Sequence, residues 1–437
     1  MEFRDQEIFC ELLMNSKRKL FTNLGSQGWI NIGMVGLFSF YIINWLWTYL
    51  IQGLFLDTLG VDYLIMWSVG YTANHYGYAA VYNFNILSSI QDQISLLYGI
   101  HPAVFPAPLS LFQFPIFIFP FQLLALFDLR SGFYFWTFLN VVIFVLYLRY
   151  FLIQNNTLDW QRLVIMAGLI YYFYFNLFCG NFNIFLMIFM GEFLQSINKR
   201  KYFLSGIWLC GILIKMQILI LIIPYLIYKQ KWKTLSSFSL ASFACITFSA
   251  WIIGLNNLPG LFQLWIAGNP GTSWDAPNNM MNLRMLGYRL SQFISPVIAW
   301  GIILVGTLLI LFLIINTWMN VKNNSIYTEY LVYFATILAT FIITWHSNTH
   351  MEMALIPFMI FFYAKKILPE KLLYLHLFGL PISILLLAPL GNVLGIQQYN
   401  FQFSLIGFMI LLSNVITLLW LIKYLLKDSI YEVLQKA

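Results

Sequence analysis

Long apolar runs separated by short polar stretches extend along nearly the whole chain. Runs such as INIGMVGLFSFYIINWLWTYLI (residues 30–51) and VIAWGIILVGTLLILFLIINTW (297–318) exceed the ~20 residues that a helix needs to cross a bilayer. The pattern predicts an all-α polytopic membrane protein, a bundle of about 11–13 transmembrane helices. The candidate spans are 29–51, 104–126, 132–152, 162–178, 182–197, 203–228, 234–255, 293–318, 326–345, 350–364, 372–391 and 402–426.

The basic residues predict an orientation for these spans. Lys17, Arg18 and Lys19 precede the first span, whereas the next polar stretch, 53–103, contains no Lys or Arg. Because basic loops stay in the cytoplasm, we expect a cytoplasmic head at 1–28 and an external loop at 53–103. The same rule places the loop 256–291 outside and the tail 427–437 in the cytoplasm. We therefore predict a multi-pass protein of the cell membrane, a single integral membrane domain with both termini cytoplasmic.

One basic stretch conflicts with this scheme. If every candidate span crosses once, NKRK (198–201) falls outside. One or two of the short spans 162–178 and 182–197 and the proline-rich span 104–126 are then expected to be re-entrant or to span only half of the membrane. Such broken segments are tolerated in a membrane only where their backbone lines a cavity or is buried in protein.

Composition narrows the function classes. The chain has 437 residues, of which 61% are hydrophobic and 9% charged, and its net charge is +7. Soluble domains carry about 25% charged residues, so the positive charge is read as basic membrane loops and not as a nucleic-acid surface. The four Cys are scattered, and no nucleotide-binding motif is present. We expect no cofactor.

Asp62 is the first candidate for chemistry. It lies in the loop 53–103, which contains no Lys or Arg. The Tyr and Trp residues around it, including Tyr63 and Trp67, are spaced as on short amphipathic helices. A carboxylate there is suited to accept a proton from a hydroxyl. The alternative is a solvated loop acid or helix cap within an aromatic membrane belt, and the same alternative holds for Asp57.

Lys215 is the second candidate, because it interrupts an apolar run with about a dozen apolar residues on each side. One interpretation is an ammonium that binds phosphate in a water-accessible cavity. The other is an internal ion pair with Glu192, which also lies in an apolar run.

Two further polar stretches, which lie at the ends of predicted spans, contain candidate phosphate-binding residues. The stretch 268–290 contains Asn279, Arg284 and Arg289, and forked hydrogen bonds from arginine suit a phosphate. The stretch TWHSNTHMEM (344–353) holds His346 and His350 four residues apart. Such a pair suits a phosphoryl oxygen or a metal, but no third ligand is evident and we predict no metal.

The order of several motifs resembles glycosyltransferase family 87, the polyprenyl-phosphate-mannose-dependent mannosyltransferases of the GT-C superfamily. FPAP (105–108) stands where that family has Tyr-Pro-Pro, and GNFN (180–183) is similar to its Gly-Gln-x-Asn with Asn in place of Gln. KRKYFLSGIWLCGILIKMQ (199–217) is similar to its basic loop and Ile-Lys-Pro run, with Met216 in place of Pro. TWHSNTHMEMALIP (344–357) resembles its late His segment, although His350 is followed by Met351.

The resemblance implies a GT-C-type bundle whose active site is extracytoplasmic, with an external first loop that supplies an acidic residue, Asp62 by position. It implies an inverting transfer of a hexose, mannose first, from a polyprenyl-phosphate donor to a lipid, glycan or protein acceptor. Lys215, Arg284 and His350 would then bind the donor phosphate. Asp57, Tyr63, Trp67, Asn183, Asn279 and His346 are further candidates for substrate binding.

Two other functions remain open from the residues. A lipid or solute transporter or flippase would explain the many spans and the buried charges, but no internal repeat is evident. A noncatalytic scaffold would tolerate alanine at Asp62 and Lys215.

Overall fold

A computed structural model of the chain describes residues 26–51, 53–54, 59–99, 114–157, 159–259, 280–321, 325–383 and 399–436. Every regular element in these ranges is helical, which confirms the all-α prediction. The α-helices, numbered in chain order, are α1 Ser26–Ile51, α2 Val61–Tyr76, α3 Tyr78–Val81, α4 Phe84–Tyr98, α5 Phe119–Leu124, α6 Leu129–Gln154, α7 Trp160–Gly168, α8 Tyr171–Cys179, α9 Asn183–Asn198, α10 Tyr202–Gly211, α11 Leu219–Tyr228, α12 Trp232–Ile253, α13 Leu283–Leu290, α14 Pro296–Asn320, α15 Ile326–Ile343, α16 Ile356–Ala364, α17 Glu370–Tyr374 and α18 Tyr399–Lys436.

Single turns of tighter or wider helix join several of these elements. Turns of 3₁₀-helix occupy Pro115–Phe117, Ile212–Ile218, Leu255–Asn257 and Thr349–Leu355, and a π-helical turn occupies Leu375–Gly379. The chain divides into two compact units, Met1–Trp47 and Thr48–Ala437. In the first unit, α1 exposes large apolar side chains such as Val35, Phe38 and Trp47, as a helix that faces lipid does.

The number of long apolar helices is lower than the 11–13 predicted. Within the described ranges, six helices are long and apolar enough to cross a membrane, or seven if the bent pair α7–α8, with 56° between its halves, forms one span. The predicted spans 162–178 and 350–364 each consist of short helical pieces, and the predicted spans 104–126 and 372–391 lie partly outside the described residues. A polytopic membrane protein is still the class that these helices define.

The first polar loop is helical where the structure describes it, at 59–99. Its described part forms the three short helices α2, α3 and α4. Asn83 caps α4 by accepting hydrogen bonds from the backbone N–H groups of Asn85 and Ile86. Because capping satisfies N–H groups that a helix leaves without partners, it explains why a new helix begins at this point.

The described part of the predicted span 104–126 lies against the first loop. Its helix α5 packs on α2, and Asn74 of α2 donates a hydrogen bond to the carbonyl of Gln122. Trp67 likewise donates to the carbonyl of Phe127, just before α6. Residues 114–128 therefore lie at the same end of the bundle as α2.

The basic stretch 198–201 lies at the other end of the bundle. The helix α6 starts beside α2 and ends at Gln154, whose side chain accepts a hydrogen bond from Lys199. Arg200 shares a cavity with Lys229 and Lys231 of the next basic loop. The chain thus passes along the bundle three times between Asp128 and Asn198, through α6, the α7–α8 pair and α9. The conflict of NKRK with the basic-loop rule disappears when 104–126 is not counted as a single crossing.

Candidate active site

The start of α2 is joined to the end of α8. Gly60 adopts a left-handed conformation with φ of 77° and donates its N–H to the carbonyl of Phe178 over 2.8 Å. A left-handed residue costs least as glycine, which has no Cβ. This bond places Asp62, in the first turn of α2, beside the turn that follows α8.

That turn, Gly180–Phe182, is tightly packed against α2. Gly180 has φ of 71°, and a Cβ on it would come within 2.6 Å of the Cβ of Tyr63. The carbonyl of Gly180 accepts a hydrogen bond from the indole of Trp136 over 2.9 Å. Only glycine fits this conformation and this close approach together, so the turn and α2 are pressed into one fixed arrangement.

Asn181 projects from this turn between Asp62 and His350. Its amide Nδ2 lies 2.7 Å from Oδ2 of Asp62 and 3.3 Å from Nε2 of His350. Its Oδ1 accepts the backbone N–H of Phe182 over 2.7 Å. Because an amide nitrogen only donates, the Phe182 contact fixes which end of the Asn181 amide faces the carboxylate.

The same contacts select the tautomer of His350. Since Nδ2 of Asn181 donates, Nε2 of His350 must accept, and the ring proton of the neutral imidazole then sits on Nδ1. Nδ1 lies 3.7 Å from the same oxygen of Asp62. In this arrangement His350 is neutral and faces the carboxylate, and its binding of the donor phosphate stays a prediction.

Asn181 is itself held by a second asparagine. Its backbone N–H donates to the carbonyl of Asn176 over 2.9 Å, and the side chain of Asn176 donates back to the carbonyl of Asn181 over 3.2 Å. The Asn176 amide also donates to Oδ1 of Asn140 over 3.4 Å. These three asparagines, all buried, connect α6 and α8 to the carboxylate.

Lys215 belongs to the same cluster. It sits within the 3₁₀ turn Ile212–Ile218, where its φ of −141° and ψ of 69° interrupt the helix between α10 and α11. Its Nζ lies 5.6 Å from the ring centroid of Phe182, and its charge acts on Asp62 and His350. Gln217 fixes the turn to the other side of the site by donating to the sulfur of Met351.

The alternative pairing of Lys215 is not what the structure shows. Glu192 interacts electrostatically with Tyr147 and Lys199, toward the far end of α9. The lysine that the sequence marks as buried therefore points its charge to the Asp62 cluster.

Opposing effects set the acidity of Asp62. Burial raises the pKa of Asp62 above its usual value, while the hydrogen bond from Asn181 and the charge of Lys215 lower it. About a fifth of the side chain (21%) is still exposed, so the carboxylate is accessible to a small reactant although it lies deep. Desolvation favours the protonated form, whereas Asn181 and Lys215 favour the ionised form.

Arg284 and His346 lie at the border of this cluster. The guanidinium of Arg284 stacks on Trp345 at 3.7 Å and donates to the Trp345 carbonyl over 3.3 Å. Asn282 donates to the carbonyl of Thr344 over 2.8 Å. His346, one residue after Trp345, receives a contact from Asn348 at 3.3 Å and acts electrostatically on His350. The segments near 284 and 346 thus meet.

Other predicted residues have different surroundings. Tyr63 and Trp67 are buried, with 0% and 3% exposure. Tyr63 packs edge-on against Phe133, and Trp67 stacks on Tyr71. Neither ring presents a free face to a sugar in this conformation, because α2 turns that side toward the bundle.

Asn183 is fully buried at the start of α9, and neither atom of its side-chain amide makes a hydrogen bond within the described residues. Buried amides without partners are uncommon, so Asn183 stays a candidate for substrate binding. Asp57 and Asn279 lie outside the described residues.

The site residue that sequence reasoning missed is Asn181. The GNFN motif (180–183) contains both Asn181 and Asn183, and the resemblance to the family points to Asn183. The glycine at 180 is the available signal in the sequence, since a glycine followed by a polar residue often marks a tight turn that presents a side chain.

Comparison with known proteins finds one family whose sequence model covers part of this cluster. A sequence model of glycosyltransferase family 87 matches residues 97–344, more than half of the chain. Asn181 and Lys215 lie inside the matched residues, and Asp62 and His350 lie outside them. A search of curated proteins finds no match, and neither does a search of solved structures. The helical bundle and the extent of the family match together show that the chain belongs to glycosyltransferase family 87.

Proposed function

We propose that the chain transfers a hexose, with mannose as the first candidate, from a polyprenyl-phosphate donor to a hydroxyl of a lipid, glycan or protein acceptor. The single observation that supports this most is the meeting of Asp62, Asn181, Lys215 and His350 from four separate segments of the chain. A base that accepts the hydroxyl proton and a cation that stabilises the leaving phosphate suit a glycosyl transfer, and both lie in this cluster.

Asp62 acts as the general base in this proposal. Its carboxylate takes the proton of the acceptor hydroxyl while the acceptor oxygen bonds to the anomeric carbon. The bond from that carbon to the donor phosphate breaks on the opposite face, and its electron pair leaves with the phosphate oxygen. The configuration is inverted, and the products are the glycoside, polyprenyl phosphate and a protonated Asp62.

Lys215 stabilises the charge that develops on the leaving phosphate. Its ammonium is a compact point charge suited to phosphate, and it is placed within the same cluster as the base. Arg284, stacked on Trp345 at the border, is positioned to guide the donor headgroup rather than to touch the carboxylate. His350 orients the acceptor hydroxyl through Nδ1, which faces Asp62 at 3.7 Å.

The membrane setting favours a lipid-linked donor. Among the described residues, six or seven helices are long and apolar enough to cross a membrane, and a polyprenyl chain partitions into the same hydrocarbon phase. The basic-loop rule would place Asp62 on the extracytoplasmic side, where nucleotide sugars are not made and a lipid-phosphate sugar is the activated form at hand.

The experiment is a transfer assay on the purified full-length chain with a panel of polyprenyl-phosphate hexoses and one nucleotide sugar. Asp62→Asn is compared with Asp92→Asn, which removes an exposed carboxylate from the same loop. We expect Asp62→Asn to lose about 10²–10⁴-fold in turnover and Asp92→Asn to keep wild-type activity. Near-wild-type turnover of Asp62→Asn refutes the base assignment, and transfer from the nucleotide sugar alone refutes the donor class.

The transporter alternative makes a separate prediction. Gradient-driven uptake into proteoliposomes without any covalent transfer of sugar would support a transporter. Formation of a glycosylated acceptor that depends on the donor, in detergent and without a gradient, supports the transferase.

A further inference from the structure

A basic cavity of about 360 Å³ opens at the end of the bundle opposite to Asp62. Three helices lead from the Asp62 cluster to it: α9, which begins next to Phe182, α11, which follows Lys215, and α15, which ends just before Thr344. Lys215 and Lys229 are fourteen residues apart along a largely helical path, so the two places are about 20 Å apart. The cavity is therefore separate from the candidate active site.

The lining carries an excess of positive charge. Arg200, Lys229 and Lys231 line the cavity together with one carboxylate, Glu329. Nζ of Lys231 and Oε1 of Glu329 form an ion pair at 2.8 Å, with both side chains about three-quarters buried (22% and 24% exposed). Three cations facing one carboxylate leave a net charge suited to an anion.

Aromatic side chains hold the two lysines in place. Nζ of Lys231 lies 5.3 Å from the ring centroid of Tyr202, and Nζ of Lys229 lies 5.3 Å from that of Tyr228. Tyr228 in turn stacks on Trp318 at 6.4 Å. Cation–aromatic contacts fix long side chains that would otherwise lose entropy on binding, so the cations are arranged before any ligand arrives.

The surface beside the cavity is apolar. Ile227, Tyr228 and Trp232, which flank the two lysines in sequence, expose 49%, 47% and 58% of their surface. Free inorganic phosphate gains nothing from such a surface, whereas acyl chains attached to a headgroup bury it. Basic pockets between transmembrane helices bind lipid headgroups in this way.

We propose that this cavity is a binding site for an anionic phospholipid, whose headgroup phosphate is bound by Arg200 and Lys229 while its acyl chains lie along Ile227 and Trp232. Lys231 pairs with Glu329 and so holds two walls of the cavity together. The site is distinct from the donor site, because the donor phosphate would meet Lys215 about 20 Å away.

The test is lipid binding to the purified full-length chain in neutral detergent, measured by native mass spectrometry. Short-chain phosphatidylglycerol, phosphatidylcholine and inorganic phosphate are titrated separately. The variant Arg200→Gln/Lys229→Gln removes two lining charges. The matched control Lys201→Gln/Lys233→Gln removes two charges from the same loops at residues that do not line the cavity.

We expect phosphatidylglycerol to bind at least fivefold more tightly than phosphatidylcholine, and the lining variant to lose that preference while the control keeps it. Equal losses in both variants would reduce the effect to general surface charge and overturn the proposal. Inorganic phosphate that competes as well as the lipid would overturn the assignment to a lipid. Because binding is measured without sugar transfer, the result does not depend on the proposed enzymatic activity.

Discussion

The side-chain amide of Asn181 donates to the carboxylate of Asp62 over 2.7 Å, joining residues 119 positions apart in the chain. The same amide approaches Nε2 of His350 at 3.3 Å. One uncharged residue thus sets both the ionisation of the proposed base and the tautomer of its neighbouring imidazole. Asn181 is a positioning residue in this arrangement. Its substitution tests its effect on the pKa of Asp62 without removing the carboxylate itself.

Asn181→Leu is expected to shift the acidic limb of the pH profile of kcat/KM upward. Its amide lowers the pKa of Asp62, so its loss leaves burial opposed by Lys215 alone and Asp62 ionises at higher pH. Asn181→Gln keeps a donor amide and should restore much of the profile. The measurement is kcat/KM from pH 4 to 9 for both variants and the wild type. A uniform loss of activity, with the limb unmoved in Asn181→Leu, would contradict the electrostatic role.

Asp62→Asn is expected to leave the protein at least as stable as the wild type near neutral pH. Burial raises the folded-state pKa of Asp62 above that of the unfolded chain. The folded state therefore binds the proton more tightly, and stability falls as pH rises between the two pKa values. Above the folded-state pKa the ionised Asp62 costs stability in full, and the amide variant removes this cost.

The measurement for Asp62→Asn is the thermal midpoint in detergent at pH 4 and pH 7. The difference between variant and wild type should move in favour of the variant from pH 4 to pH 7, because the wild type loses stability as the folded-state Asp62 ionises. A variant that is less stable than the wild type at pH 7 alone would show that the ionised carboxylate stabilises the fold.

Gly180→Ala is expected to destabilise the chain by about 1–3 kcal/mol and to lower activity further. A Cβ at this left-handed position would meet the Cβ of Tyr63 at 2.6 Å and the ring of Phe133 at 3.1 Å. Relief of that contact moves α2, and with it Asp62, away from Asn181. The measurements are the unfolding midpoint and kcat.

Gly301→Ala is the matched control, because nothing lies within 4 Å of a Cβ built there. It sits in the interior of α14, where alanine favours the helix by about 1 kcal/mol over glycine. Unchanged stability and activity of Gly180→Ala would refute the close packing of this turn on α2.

A second buried polar network predicts a purely structural effect. The hydroxyl of Tyr172 contacts Nδ1 of His376 at 2.8 Å, Nε2 of His376 contacts Thr417 at 2.9 Å, and Glu352 accepts a hydrogen bond from Asn414. All five residues are buried. This network joins α8 and the His350 turn to α18.

Tyr172→Phe leaves a buried imidazole nitrogen without its partner and should cost about 1–3 kcal/mol. Tyr76→Phe, at an exposed tyrosine of α2 (55% exposed), is the control and should change stability little. Thermal unfolding of both variants measures the difference. Equal midpoints for the two variants would show that the network contributes nothing.

Much of the fold was predictable because the cost of burying charge or exposing apolar surface depends on local composition. The long helices α1, α6 and α14 begin and end within a few residues of the predicted spans, and the three short helices of the first loop follow its aromatic spacing. Asp62 and Lys215 stood out for the same reason, since charge is rare and costly among apolar residues.

The end of the bundle at which the basic stretch 198–201 lies was not predictable from the sequence. Counting crossings treats each apolar run as equal, but 162–178 and the described part of 104–126 are apolar enough without being straight helices. Contacts between segments distant in sequence show at which end of the bundle 198–201 lies. Asn74 contacts Gln122 at one end, and Lys199 contacts Gln154 at the other.

The sequence by itself determined the helical membrane class, the extent of the main apolar helices and two of the charged residues of the candidate site. Tertiary structure alone decided that Asn181 and not Asn183 meets Asp62, that Lys215 faces this carboxylate and not Glu192, and that Tyr63 and Trp67 are covered. The free energy of transferring a helix into lipid is a sum over consecutive residues, so it can be calculated from the sequence alone. A hydrogen bond depends on tenths of an ångström between segments more than a hundred residues apart, and only the packing of the helices sets those distances.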